Sequence, residues 1–179
     1  MSAPYKIVVY PHPALRQKAE PVQEVDDTVR QIMLRMRATL QAEESGIGLS
    51  ANQVAVLQRI ILVDQGLIED NPSLPLHMMV NPEVIEASDE QDAEDEACLS
   101  LPGVHMGPVI RPQTIVVTYL DIDGQAQKLK VTGYTARCIL HEIDHLNGVL
   151  FIDHLNAAKR TKALRILEKE KRRLKKEKS

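Results

Sequence analysis

Apolar positions recur at helical spacing in three parts of the chain, with strand-like runs between them. Val29, Ile32, Met33, Met36 and Leu40 mark one face of an amphipathic helix over residues 26–44, with Asp26 or Asp27 placed to cap it. Residues 5–10, Tyr-Lys-Ile-Val-Val-Tyr, read as a short strand stopped by Pro11 and Pro13. Ile60–Asp64 reads as a buried strand, and residues 66–76 as a loop containing proline and asparagine. A further strand is expected over 78–80, ending at Asn81-Pro82, with Val84-Ile85 as its continuation. Thr114–Leu120 alternates, residues 121–124 turn, and residues 127–131 return as the second arm of a hairpin. Thr132 or Thr135 then opens a helix that Asn147-Gly148 closes. From Leu155 onward a last helix is expected, sparsely apolar at Leu155, Ala163, Ile166, Leu167 and Leu174.

Composition narrows this picture without naming an activity. The 179 residues are 44% hydrophobic and 26% charged, ordinary values for one globular domain with a real core. One Phe, four Tyr and no Trp leave that core to aliphatic side chains. No apolar run of about 18 residues and no signal-peptide pattern are present, so no membrane span is expected and the expected location is cytoplasmic. Two cysteines make no disulfide framework. Charge is unevenly placed: residues 159–179 hold eleven Lys/Arg against three Glu, a balance of +8 within a chain whose total is −3. Residues 89–96 carry six acids in eight positions and read as a solvated loop, with casual binding of a hard cation as the sharper alternative.

The helix after the hairpin carries His141-Glu142-Ile143-Asp144-His145. Histidines four apart lie about 400° round a helix and ~6 Å along it, so both imidazoles leave one face. A divalent metal can sit between them, and Glu142 can take a proton from a water on that metal. The competing reading of those five residues is an amphipathic helix with two partly exposed histidines. A catalytic metal takes three protein ligands and keeps one position open. Cys98, Cys138, His154, His105, His77 and several carboxylates are candidates for the third. Cys138 shares the helix face, but seven residues separate it from His145, ~10 Å of rise that a short thiol cannot span. Cys98, on the extended segment before Pro102-Gly103, is the best thiolate. The pair Gly46 and Gly48 suggests a sharp turn or a close approach to a ligand. A phosphate loop is excluded there, because no strand precedes, no third glycine follows and no Gly-Lys-Ser/Thr end is present.

Three segments in one order, residues 46–53 (Gly-Ile-Gly-Leu-Ser-Ala-Asn-Gln), residues 96–100 (Glu-Ala-Cys-Leu-Ser) and residues 141–146 (His-Glu-Ile-Asp-His-Leu), resemble the three motifs of peptide deformylases. The resemblance spans most of residues 5–155. It implies an α+β fold with mixed, mainly antiparallel sheets packed around a central helix carrying the histidine motif, and a C-terminal helix. Residues 1–158 would form the deformylase-like catalytic domain and residues 159–179 a basic helical tail. It implies metal ligands at Cys98, His141 and His145, with Glu142 as general base and then acid. Gln53 and the Leu99 N–H would hold the oxyanion. Ile47 and Gly48 would bind the substrate backbone as an added strand, and Cys138 and His141 would border the methionine pocket. Glu96 would pair with Arg111 behind the metal.

The implied reaction is removal of the N-terminal formyl group from formyl-methionine of newly synthesised polypeptides. Its cofactor would be one divalent ion per chain, Fe2+ in the cell, with Zn2+ or Ni2+ in preparations. The implied partners are N-formylmethionyl nascent peptides and the ribosome near its exit tunnel, reached through the basic tail; neither DNA nor a membrane is expected. Two departures stand out, Ala97 where the family has glycine and Leu140 where it has glutamine, whereas Ser50 and Asn52 stand at tolerant positions. Two other readings remain. One is a metallopeptidase using His154 as third ligand; the other is a deformylase-like paralogue with altered substrate or a non-catalytic ribosome-binding role.

Overall fold

Met33, Met36 and Leu40 point inward from α1 (Asp27–Gln41), and Asp26 caps the helix by accepting the Val29 N–H at 2.8 Å. In this computed structural model, which describes residues 3–177, α1 covers one face of a five-stranded antiparallel sheet. The strands are β1 (Gly48–Ser50), β2 (Ile60–Asp64), β3 (Leu76–Ala87), β6 (Thr114–Leu120) and β7 (Ala126–Thr132), in that spatial order. Period-two alternation assigns the faces. Ile60 and Leu62 pack under α1, whereas Ile61 and Val63 face α3 (Gly133–Leu146) together with Met79, Ile115 and Val117. Complete burial of such an aliphatic side chain contributes roughly 1.5–3 kcal/mol. The sheet is therefore held between two helices.

On its far side α3 meets a separate hairpin, β4 (Gln91–Ala97) and β5 (His105–Pro112), and α4 (Ala157–Glu177) packs against β5 and the turn after α3. A third apolar cluster joins these parts: Leu101, Val104 and Val109 from the hairpin region, Phe151 and Ile152 from the turn after α3, and Ala163 and Leu167 from α4. The helix carrying the histidine motif is thus central. Lys178, part of the basic run, lies outside the described residues, and among the described residues no helix is long and apolar enough to cross a membrane.

Four local expectations are corrected. Residues 5–10 form no strand; they make isolated backbone bonds, Val8 N–H to Gln53 O at 2.8 Å and Tyr10 N–H to Ser100 O at 3.0 Å. Residues 66–76 are not all loop, because α2 (Gln65–Ile68) turns on a cap from Asp64. β3 runs through Asn81-Pro82 instead of stopping there. The ladder slips register at that point, so proline leaves no pairing donor missing, while Asn81 exchanges two hydrogen bonds with the Val22 backbone. The acidic residues 89–96 are mostly strand, not solvated loop, since β5 supplies their backbone partners. β5 itself escaped the sequence reading because Gly107-Pro108 and Arg111 break its apolar alternation.

Candidate active site

The face of α3 that leaves the sheet presents Arg137, Cys138, His141, Glu142 and His145, all buried. Thr132 and Gly133, at φ +60°, turn the chain from β7 into this helix, and Gly148, at φ +73°, ends it. Cys98 follows β4 directly and comes to 3.2 Å from His145 Nε2. The ligand atoms of Cys98, His141 and His145 all lie within 4.8 Å of one another.

Beside these ligands, His141 Nδ1 and Glu96 Oε2 are 2.8 Å apart, which turns His141 Nε2 toward the cluster. Glu96 also accepts from Arg111 Nη2 at 2.9 Å and from Arg137 Nη1 at 2.8 Å. Burial would raise the Glu96 pKa, but the hydrogen bonds from Arg111 and His141 outweigh it and hold the carboxyl below its usual range. Burial likewise disfavours charge on both histidines; hydrogen bonds to Cys98 and Glu96 nevertheless raise His141, while His145 is lowered further by its neighbour. A thiol, two imidazoles meeting edge to face at an interplanar angle of 72° and an anion orienting one of them fit a divalent ion with nitrogen and sulfur ligands. His145 Nδ1 is buried and unpartnered.

Beside the cluster opens a cleft of about 570 Å³. Gly48, Gln53, Leu99, Cys138 and Glu142 line it, as do Ile47, Glu96, Cys98 and His141; Arg111 and His145 stand behind its wall. Gln53 is fixed by its own turn: its Oε1 accepts from Ser50 N–H at 2.9 Å, and its Nε2 points to Ser100 Oγ at 3.2 Å and Cys98 Sγ at 3.5 Å. Glu142 Oε2 has no protein partner, and burial pushes its carboxyl pKa up to about 7. Burial also raises the Cys138 thiol, so it meets the cleft as a neutral, apolar group.

His154, the alternative third ligand, is occupied elsewhere: its Nε2 lies 2.8 Å from Asp144 Oδ2, and it is no part of the cluster. Ser50 and Asn52 are not idle positions either. Ser50 aligns Gln53, and Asn52 Nδ2 ties the N-terminal segment down through Ala14 O and Gln17 O. Ala97 keeps a negative φ, so its methyl adds no backbone strain, and Leu140 packs against the sheet-facing core. Sequence reasoning missed Arg137 and Asp144. Arg137 stands one turn before His141 on the same face, a spacing visible in the sequence.

The family model described as polypeptide deformylase matches residues 4–161. A peptide deformylase of Brucella suis biovar 1 is 40% identical over 163 residues, 91% of either chain. The crystal structure of a peptide deformylase from Legionella pneumophila superposes with a TM-score of 0.87 at 35% identity, covering 95% of this chain and 96% of that one. A structure of the Ehrlichia chaffeensis enzyme in complex with actinonin reaches 0.86 at 36% identity, over 95% and 99% of the respective chains.

Proposed function

The chain belongs to the polypeptide deformylase family and is a hydrolase that removes the N-terminal formyl group of formyl-methionine on newly made polypeptides; we propose that Glu142 moves the protons of that reaction. The observation that carries the proposal is the buried, unpartnered Glu142 Oε2 in a cleft that also holds three convergent metal-ligand atoms.

Cys98, His141 and His145 would hold the ion. When bound, a divalent ion there supplies Lewis acidity, bringing the pKa of water toward ~7 and polarising the formyl carbonyl. The peptide backbone lies along Ile47 and Gly48 as an added strand, with the methionine side chain toward Cys138 and His141. Glu142 accepts the proton of the attacking water and delivers it to the departing amine. Gln53 Nε2 and the Leu99 N–H donate to the formyl oxygen as negative charge builds there; one such donor contributes about 3 kcal/mol in comparable sites. Ser50 keeps the Gln53 amide in the donating orientation. Glu96, bound by Arg111, fixes the orientation of His141.

The thiolate makes the ligand set softer than three histidines, and we assign Fe2+ as the cellular ion, with Zn2+ or Ni2+ able to replace it. Iron and sulfur both oxidise, so protein prepared without air should hold iron by elemental analysis and lose activity on aeration. We assign the work to the cytoplasm, where formylated nascent chains arise. The exposed basic face of α4 suits docking on ribosomal RNA near the exit tunnel. Assay on formyl-Met-Ala-Ser against the unformylated peptide tests the activity: release of formate from the first, with no cleavage of the second, is expected. Peptide-bond cleavage in either would overturn the assignment.

A further inference from the structure

The hairpin β4–β5 shares no ladder with the five-stranded sheet, yet it delivers Cys98 to two histidines fixed on α3. Something other than strand pairing must set the gap between hairpin and helix. Arg137, on α3 and 2% exposed, reaches both strands of the hairpin with one guanidinium. Its Nη1 donates to Glu96 Oε1 at 2.8 Å and to Val109 O at 2.9 Å, and its Nη2 donates to Asp92 O at 2.9 Å. Two of these acceptors are backbone carbonyls, one on each strand, so the contact fixes main chain as well as the Glu96 side chain. The planar fork of arginine holds donors on separate nitrogens at a fixed spacing, whereas the three donors of an ammonium share one nitrogen at the end of a flexible stem.

We propose that Arg137 is a positioning residue of the metal centre: it clamps the β4–β5 hairpin onto α3 and so holds Cys98 at ligand distance from His141 and His145. This rests on Cys98, His141 and His145 being the metal ligands. Arg137 borders the cleft, but its hydrogen bonds go to Glu96 and to the hairpin backbone and none to a ligand atom. Its effect passes through Glu96, which orients His141, and through the backbone of both hairpin strands at Asp92 and Val109. Arg111, on β5 itself, shares the Glu96 carboxylate and reaches Asp144 on α3, a second tie between hairpin and helix; Arg137 differs in bonding backbone carbonyls of both strands from the helix side.

The test uses the full chain loaded with Co2+, whose sulfur-to-metal charge-transfer band reports thiolate ligation directly. The wild-type protein must show that band, and its absence there would overturn the ligand assignment, not the clamp. In Arg137→Gln, folded by circular dichroism, metal release into excess chelator should be faster by about 10–100-fold and the thiolate band weaker. Arg137→Lys keeps the positive charge, but its three donors radiate from one nitrogen and cannot reproduce the spread of Nη1 and Nη2 over both strands, and it should release metal nearly as fast as the glutamine variant. Wild-type release in a folded Arg137→Gln overturns the clamp. Full rescue by Arg137→Lys reduces the residue to a counter-charge for Glu96 and also overturns it. If neither variant folds, Arg137 is a folding residue and the proposal falls.

Discussion

A β-carbon on Gly48 would stand 2.5 Å from Glu142 Oε1, closer than side-chain atoms approach one another. The smallness of residue 48 is therefore what lets the buried carboxylate stand in the cleft. φ at this position is not in the left-handed region, so the requirement is space and not backbone freedom. Gly48→Ala should fold with its metal intact, while turnover on a formylated tripeptide falls by about 100-fold through displacement of Glu142. Unchanged kcat in that variant would show that Glu142 can move without penalty.

Glu142 itself separates stability from chemistry. Its pKa is raised to about 7 by burial, so keeping it ionised at higher pH costs folding free energy. For an acid shifted upward, that cost is absent below the unfolded pKa and grows as pH rises past it. Metal-free Glu142→Gln should accordingly unfold at no lower denaturant concentration than the wild type at pH 8. Its metal-loaded form should keep the ion yet lose turnover by at least about 10²–10⁴-fold. Substantial residual turnover would remove Glu142 from the reaction.

How much of the molecule is legible in its sequence follows from how far each signal reaches along the chain. His141, Glu142 and His145 lie on one helix, and their spacing alone puts them together. Cys98 needed the hairpin's path, which periodicity does not give, and the resemblance supplied it. The acids of β4 looked like a loop because a strand in a two-stranded sheet keeps most of its side chains in water; only Glu96 turns inward, to two arginines. β5 hid behind Gly107-Pro108. Arg137 and Asp144 hid in plain view, because charged residues on a helix read as solvated until a second element covers them. Ser50 and Asn52 were passed over because their partners, Gln53 in the same turn and the distant Ala14 and Gln17, exist only once the chain has folded back.

The buried carboxylate of Glu96 predicts an acid-sensitive fold. Its hydrogen bonds to arginine and histidine outweigh burial and depress its pKa below that of the unfolded chain, ~4.3. The stabilisation is therefore complete above the unfolded value and is lost as pH falls from there toward the folded one. Urea unfolding of metal-free protein should put Glu96→Gln about 3–5 kcal/mol below the wild type at pH 7, since two guanidinium groups lose their counter-charge. That gap should narrow steadily below about pH 4.3. A gap independent of pH would mean that the carboxylate charge contributes nothing.

The basic helix needs a test that respects its packing. Deleting residues 160–179 would also strip Ala163 and Leu167, both buried against Leu101 and Phe151, and so would confuse docking with unfolding. Replacing exposed Lys162, Arg165, Lys169, Arg172 and Lys176 with glutamine leaves that buried side untouched. If this face docks on RNA, the variant should retain full activity on a tripeptide but co-sediment less with ribosomes at low salt. The dependence of log affinity on log salt should flatten by up to about 0.9 for each phosphate no longer neutralised on duplex RNA treated like B-DNA, and by nearer ~0.7 on single strands. Equal co-sedimentation at low salt would leave the charged face as solvent-exposed surface and nothing more.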